Sequence, residues 1–180
     1  MGKRSFDDPV REEQRLRAIG HVRQFGDPVL RTPASRIEVF DEALREEATR
    51  MVGLMRDAHG VGLAAPQVGR LRRLIVVQPG EEVEPIALVN PDITWYSEEQ
   101  EPGPEGCLSI GEVVVEVTRA LAIRVQAQDL SGEPLELEAD GFGARVIQHE
   151  VDHLDGILIL DRTSPEERKE ALRQLRSGEA

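Results

Sequence analysis

Residues 148–153 read QHEVDH, and the fold and chemistry of the whole chain can be inferred outward from them. On a helix, His149 and His153 lie on one face, one turn apart. Two neutral imidazoles at this spacing bind a divalent metal, and the adjacent carboxylate of Glu150 can accept a proton from water that the metal activates. The alternative is a surface helix with two solvated histidines. Apolar neighbours favour a buried helix; they are Phe142, Val146, Val151 and Leu154.

The composition predicts a single domain over residues 1–180. The chain is 39% hydrophobic and 31% charged, which is typical of a soluble globular protein with a sizeable core. A net charge of −12 argues against nonspecific electrostatic binding to phosphate backbones, so we predict no direct binding of nucleic acid. No apolar run reaches the roughly 18 residues that a membrane span requires.

Cysteine usage and the first residues indicate a cytoplasmic protein. Cys107 is the sole cysteine, so the fold does not depend on a disulfide or on an oxidising compartment. The first 20 residues contain no apolar signal core, and their acidic residues are untypical of a transit peptide. We therefore expect the protein to act in the cytoplasm, without a membrane partner.

Periodicity predicts an α+β fold in which antiparallel β-strands pack around a central HExxH-bearing helix, with an N-terminal and a C-terminal helix. The N-terminal helix is predicted from the cap residue Asp41 to about Ala58. The C-terminal helix is predicted over residues 164–176, with Ser164 as its cap. Residues 1–17 are charged and have no clear apolar stripe, so we expect a loose N-terminal extension with one helical turn.

Alternating and β-branched runs predict the strands. The expected strands cover residues 74–77, 86–89, 113–117, 121–127 and 135–139. The last two are close enough in sequence to form a hairpin. Residues 60–69 contain three glycines and a proline and predict a shaped loop, and the acidic, proline-bearing residues 98–105 predict another. Gly156 should end the central helix, because glycine tolerates the left-handed conformation.

Two histidines do not complete a catalytic metal site, which needs a third protein ligand and an open position for water. Cys107 is the strongest candidate, because it is the only thiol and lies between flexible residues and a strand. The other candidates are His21, His59 and numerous carboxylates. A lone cysteine is otherwise a small buried hydrophobe, and a lone histidine carries no motif.

Three segments together resemble the signature motifs of the peptide deformylase family. They are GVGLAAPQ at residues 60–67, EGCLS at residues 105–109 and QHEVDH at residues 148–153, in the order of the family. HExxH alone is shared with many metalloproteases, whereas the three motifs together are highly specific. The resemblance runs from about residue 22 to 161. It implies a metal-dependent hydrolase that removes the formyl group from the N-terminal formyl-methionine of newly synthesised polypeptides.

The resemblance implies a role for each motif residue. The metal ligands would be Cys107, His149 and His153. Glu150 would be the general acid and base, accepting a proton as water attacks the formyl carbon and returning it to the leaving amine. Gln67 and the backbone N–H of Leu108 would hold the oxyanion, each donor contributing about 2.7–4 kcal/mol.

The substrate-binding residues are also implied by the resemblance. Gly60 and Gly62 would let an extended peptide pair with the backbone at an exposed strand edge. Val61, Phe142 and Val146 would line an apolar pocket for the substrate's methionine side chain. The alternative for these three side chains is plain core packing, because apolar residues at helical spacing are usually core.

Around Cys107, one expected contact and two departures from the family pattern stand out. Glu105 and Arg119, opposite charges that flank one segment, would form an ion pair behind the cysteine loop. Gly111 occupies a place where many relatives have proline. Residues 112–116 lack the basic residue that often contacts the substrate backbone, a contact that the Val114 side chain cannot make. We therefore expect altered substrate contacts in this segment.

The resemblance also implies a cofactor and partners. The cofactor is one divalent metal ion, Fe(II) in the cell, with Zn(II), Ni(II) or Co(II) able to take its place in purified protein. The substrates are N-formyl-methionyl nascent peptides. The charged C-terminal helix is typical of a solvated face; in some family members such a helix docks on the ribosome, and the same docking is a hypothesis here.

Two other functional classes compete with deformylation. A metallopeptidase shares HExxH, but its common third ligand is a carboxylate or histidine further along the chain, which Cys107 argues against. A purely structural metal site would need four protein ligands, and no fourth is found at good spacing.

Overall fold

The computed structural model describes residues 9–80 and 82–178. The α-helices are α1 (Pro9–Ile19), α2 (Glu42–Asp57), α3 (Gly141–Leu154) and α4 (Pro165–Ser177). The strands are β1 (Gly62–Ala64), β2 (Leu74–Val77), β3 (Ile86–Tyr96), β4 (Gln100–Gly106), β5 (Val114–Ala120), β6 (Ala122–Gln128) and β7 (Pro134–Asp140). Short 3-10 helices cover Pro28–Arg31, Ala65–Val68 and Ile159–Asp161.

The central helix, α3, packs against strands of two antiparallel sheets. One sheet has the strand order β1-β2-β3-β6-β7, and the other pairs β4 with β5. The α3 residues Ile147 and Leu154 are buried in one apolar cluster with Ile75 of β2 and Val125 of β6. This arrangement confirms the predicted α+β fold, with antiparallel strands around the HExxH helix.

The helix ends follow the predicted caps. The Asp41 carboxylate accepts a hydrogen bond from the N–H of Leu44 at 3.0 Å, and α2 begins there. The Ser164 hydroxyl accepts one from the N–H of Glu167 at 3.2 Å at the start of α4. After α3, Gly156 has a φ of 74°, and a Cβ there would lie 2.7 Å from the Arg31 carbonyl oxygen. Glycine is therefore required for both its conformation and its close packing.

Every predicted strand is present within the described residues, but two loop predictions were wrong. The segment 98–105 contains most of β4, which pairs with β5 from Gln100 to Gly106. Its prolines are tolerated because each strand of a two-stranded sheet has a free edge. The segment 60–69 contains β1 and a 3-10 helix, because β2 offers a partner for pairing that the local sequence does not reveal.

The prediction of a loose N-terminal extension was also wrong for the residues that the structure describes. Residues 9–19 form α1, stabilised internally by an ion pair between Arg17 and Glu13. The side chain of Gln14 donates to Asp57 of α2 at 2.8 Å, so tertiary contacts order the segment. Residues 1–8 of the predicted extension lie outside the described residues. In the described ranges, no helix combines the length and the apolar character of a membrane span.

Candidate active site

Three donor atoms converge beside α3. His149 and His153 lie on α3, and Cys107 lies on the turn that follows β4. Cys107 Sγ and His153 Nε2 are 3.3 Å apart, and the Nε2 atoms of His153 and His149 are 3.2 Å apart. The three donors all lie within 4.8 Å of one another. The helix spacing accounts for the histidine pair, whereas the pairing of β4 with β5 positions the thiol.

These separations fit a bound metal ion. Metal bonds of about 2.3 Å to sulfur and about 2.0–2.1 Å to nitrogen place tetrahedral ligands roughly 3.3–3.6 Å apart. Two unprotonated imidazole nitrogens at the observed distance direct their lone pairs at one point, and a cation there relieves their repulsion. The thiol and the two imidazoles therefore form a metal-binding triad.

Glu105 orients one of the imidazoles. Its carboxylate lies 3.1 Å from Nδ1 of His149, which turns Nε2 toward the other donors. Arg119 donates two hydrogen bonds to the same carboxylate, at 2.9 and 3.0 Å, so the predicted ion pair is confirmed. Burial alone would raise the pKa of Glu105, but hydrogen bonds from His149 and Arg119, together with the Arg119 charge, lower it to about 2. Glu105 is therefore ionised near neutral pH.

A buried ionic network extends behind the triad. Arg119 also donates to Asp152 of α3 at 2.6 Å, and Arg162 donates to the same carboxylate at 2.7 and 3.1 Å. Arg145 donates to Glu105 at 2.8 Å and to the carbonyl oxygen of Glu101 at 2.7 Å. These contacts connect α3 to β4 and β5 and hold the helix that carries the histidines against the strand that precedes the cysteine.

Glu150 lies between α3 and β1. Its side chain is buried, and Oε2 has no hydrogen-bond partner among the described residues. A Cβ on Gly62 would lie 2.3 Å from Oε1 of Glu150, so the glycine leaves room for the carboxylate. Burial raises the pKa of Glu150 to about 7, although the neighbouring His149 acts in the opposite direction.

Gln67 holds a fixed amide beside the thiol. Its Oε1 accepts a hydrogen bond from the N–H of Ala64 at 2.9 Å, which assigns Nε2 to the opposite side. Nε2 donates to the Ser109 hydroxyl at 3.1 Å and lies 3.6 Å from Cys107 Sγ. Within the described ranges, the N–H of Leu108 has no hydrogen-bond acceptor. Next to Cys107, the Leu108 N–H is therefore an available donor within these ranges, whereas the Gln67 amide donates to Ser109 and to the cysteine sulfur.

One cleft of about 710 Å³ contains the remaining predicted residues. The predicted substrate contacts that line it are Gly60, Val61, Gly62, Phe142 and Val146. The Val61 and Phe142 side chains are exposed to the cleft, whereas Val146 is largely buried in the core beneath it. Strand β1 pairs only with β2, so its other edge is free in the part of the chain that the structure describes.

The two other histidines are not part of the triad. His59 lines the cleft, and His21 is exposed outside it. Sequence reasoning missed the supporting residues Ser109, Arg145 and Gln148. Gln148 is buried and donates to the Ala120 carbonyl of β5 at 3.0 Å. A polar residue directly before the first histidine in an otherwise apolar helix was the available signal.

A buried carboxylate and candidate metal donors meet at one cleft of about 710 Å³, an arrangement that defines the class of metal-dependent hydrolases. The profile of the polypeptide deformylase family matches residues 19–169. The peptide deformylase of Thermotoga neapolitana is 48% identical over 147 residues, covering 82% of this chain and 88% of the relative. That of Dictyoglomus thermophilum is 51% identical over 148 residues, covering 82% of this chain and 95% of the relative. This chain belongs to the polypeptide deformylase family.

A solved structure agrees with this assignment. Peptide deformylase 1B of Arabidopsis thaliana, in complex with an inhibitor, superposes with a TM-score of 0.83 at 36% identity, covering 87% of this chain and 88% of that one. The resemblance noted in the three sequence motifs is thereby confirmed over most of the fold.

Proposed function

We propose that this protein removes the formyl group from the N-terminal formyl-methionine of newly synthesised polypeptides. The observation that carries the proposal is the convergence of the Cys107, His149 and His153 donors, next to a buried carboxylate and a fixed amide. One cleft is lined by Cys107 and His149 of this triad, together with Gln67 and Glu150. A peptidase would share the histidine pair, but the thiol donor and the adjacent amide favour attack on a formamide. The lone free cysteine favours a reducing compartment, and we place the reaction in the cytoplasm.

The proposed cofactor is one Fe(II) ion in the cell, with Zn(II), Ni(II) or Co(II) able to occupy the same donors in purified protein. When bound, the metal supplies Lewis acidity and makes hydroxide available near neutral pH. The negative thiolate of Cys107 reduces the net charge of the site relative to three neutral ligands. Glu105 supports the ligand set by holding His149 in one orientation, 3.1 Å from its Nδ1.

Glu150 moves the proton in the proposed reaction. Its carboxylate accepts a proton from the attacking water and delivers it to the leaving amine as the bond to the formyl carbon breaks. The side chain is confined between α3 and Gly62, so the carboxylate is already in position before each turnover. Burial without a hydrogen bond on Oε2 makes this carboxylate a better base than one in water.

The amide of Gln67 and the N–H of Leu108 stabilise the oxygen of the tetrahedral intermediate in this proposal. Ala64 holds the Gln67 amide in the orientation that presents Nε2 beside the thiol. Donors fixed in advance in this way reorganise little during the reaction, which is why each contributes about 2.7–4 kcal/mol.

The free edge of β1 binds the substrate backbone in the proposed complex. An extended peptide would add as a further strand beside Gly60 and Gly62. The methionine side chain would enter the apolar part of the cleft formed by Val61, Phe142 and Val146. The formyl group would then lie near Cys107 and His149, which line the same cleft.

The exposed basic side chains of α4 support ribosome docking as a further part of the proposal. Lys169 and Arg176 face solvent, whereas Ala171 is buried against the core. Removal of the whole helix would uncover that core, so a charge reversal is the sharper test. A K169E/R176E variant should lose co-sedimentation with ribosomes while it deformylates free peptides as the parent does; retained co-sedimentation would contradict docking through α4.

One assay tests the proposed reaction. Protein prepared anaerobically with Fe(II) is given a formyl-methionyl peptide, its acetylated version and its unblocked version. We expect formate release from the first peptide alone, and Glu150→Gln should abolish turnover while the metal stays bound. Internal cleavage would indicate a peptidase instead. Near-parental activity of the Glu150→Gln variant would contradict the assigned role of this carboxylate.

A further inference from the structure

Helix α1 lies almost entirely outside the part of the chain that matches the family. The family profile begins at residue 19, where α1 ends, yet Arg15, Leu16 and Ile19 line the active-site cleft. We infer that α1 is a specificity wall, whose Leu16 and Ile19 side chains contact apolar side chains of the substrate residues that follow the formylated one. This inference rests on the proposed function.

Contacts from the middle and the C-terminal end of α1 hold it at the cleft. Gln14 donates to Asp57 of α2 at 2.8 Å, and Ala18 is buried with 5% exposure. On the cleft side, the guanidinium of Arg15 donates to Glu112 at 2.8 Å and to Glu12 at 3.1 Å. The Arg15–Glu112 pair joins α1 to the loop after Cys107, so α1 and this loop form a common wall.

The loop that α1 contacts is the one that departs from the family pattern. Gly111 has a φ of 59°, which lies in the left-handed region. Proline, with φ fixed near about −65°, cannot adopt this conformation. The following residue, Glu112, contacts Arg15 of α1. The unusual loop and the additional helix therefore belong to one structural feature.

Beside the Arg15–Glu112 pair, α1 presents two apolar side chains to the cleft. Leu16 is 58% exposed, and Ile19 follows one turn later on the same face. Val114, which also lines the cleft, is 61% exposed in the segment that lacks the basic residue often found in relatives. A peptide paired with the edge of β1 directs alternate side chains to opposite sides. Apolar walls exposed at the mouth favour apolar side chains there.

A comparison of two substrates distinguishes the contribution of this wall from that of the methionine pocket. Formyl-methionine amide has no residue beyond the first, whereas formyl-Met-Leu-Leu amide extends two apolar residues further. For Leu16→Glu, we expect the ratio of kcat/KM for the longer substrate to that for the shorter to fall by about tenfold. Val10→Glu is the matched control, because it also replaces an aliphatic side chain of α1 by glutamate. The Val10 side chain is 70% exposed and does not line the cleft, so the ratio of the two kcat/KM values should stay unchanged.

A charge exchange tests the attachment of α1 to the loop. Arg15→Glu should raise KM for formyl-Met-Leu-Leu amide, and the R15E/E112R double variant should restore it. Calorimetric titration with the product peptide Met-Leu-Leu amide gives a readout independent of turnover, and Leu16→Glu should weaken this binding while Val10→Glu does not.

The outcomes distinguish the inference from the proposed function. A parent enzyme that deformylates both substrates, combined with an unchanged substrate ratio in Leu16→Glu, would overturn the wall and leave the proposed function intact. Absence of deformylation by the metal-loaded parent would overturn the proposed function, and the inference with it.

Discussion

Gly62 has no side chain where the carboxylate of Glu150 lies. A Cβ on Gly62 would be 2.3 Å from Oε1 and 2.8 Å from Cδ of Glu150, distances that no packed structure tolerates. The backbone of Gly62 does not have a positive φ, so the requirement is for close approach rather than for a special conformation. A residue on β1 thereby determines where the proposed base on α3 is placed.

A Gly62→Ala substitution should displace Glu150 and lower kcat by about 10²-fold or more, the range expected for loss of a positioned acid and base. Metal content should stay at the parental level, because the atoms nearest to the new methyl group all belong to Glu150, which is not one of the three donors. Steady-state kinetics with metal analysis would measure both. Gly53→Ala on α2 is the matched control, since a Cβ there meets no atom within 4 Å. Equal kcat in the two variants would show that the Gly62 contact does not position the base.

Glu105→Gln should weaken metal binding by about 10–100-fold, as loss of a carboxylate behind a ligating histidine does. The amide keeps the size of the side chain but loses the charge that pairs with Arg119 and orients His149. Competition with a chelator gives the dissociation constants. Glu138→Gln, at a 75% exposed side chain on β7, is the control and should bind metal as the parent does. Parental affinity in Glu105→Gln would refute the supporting role of this carboxylate.

The pH dependence of stability should also report on Glu105. Because its pKa falls from 4.5 to about 2 on folding, the ionised form stabilises the native state above the unfolded-state pKa. That contribution should disappear as the pH falls from about 4.5 to about 2. Urea unfolding of metal-free protein at several pH values would show the stability difference between parent and Glu105→Gln shrinking over this window. A constant difference would contradict the lowered pKa.

Arg119→Ala should cost about 3 kcal/mol of unfolding free energy, the lower end of the range for a broken buried ion pair, because Arg145 and Arg162 still pair with the two carboxylates that Arg119 shares. Arg119 is 6% exposed, whereas Arg124 pairs with Glu138 at a surface site where its side chain is 58% exposed. Arg124→Ala is therefore the comparison, with an expected cost of at most about 1 kcal/mol. Denaturant unfolding would measure the unfolding free energy of both variants. Similar losses in Arg119→Ala and Arg124→Ala would show that the Arg119 network does not stabilise the fold.

The helices and most strands followed from local rules. The caps Asp41 and Ser164 predicted the starts of α2 and α4, because a side-chain acceptor satisfies N–H groups that the first helical turn leaves free. The alternation of residues 121–127 and 135–139 predicted the β6–β7 hairpin. These patterns act over a few residues, so they are visible in the sequence.

The errors occurred where distant partners decide the structure. Strand β4 contains prolines and acidic residues that argue for a loop, but β5 supplies its pairing, and Arg145 donates hydrogen bonds to the carbonyl oxygens of Glu101 and Gly103. Helix α1 lacks an apolar stripe, yet Asp57 and Glu112 hold it through Gln14 and Arg15. Neither set of contacts can be inferred from local periodicity.

By itself, the sequence determined the histidine pair and its carboxylate, because one helical turn fixes the relation of residues 149, 150 and 153. Residue chemistry favoured Cys107 as the third ligand, and the family motifs supported it and added Gln67. Only the tertiary structure decided that the thiol reaches 3.3 Å from His153, that Gly62 makes room for Glu150, and that α1 closes one side of the cleft. The physical reason is distance along the chain: helical spacing is a local property, whereas the packing of β1, β4 and α1 around α3 depends on contacts between segments far apart in sequence.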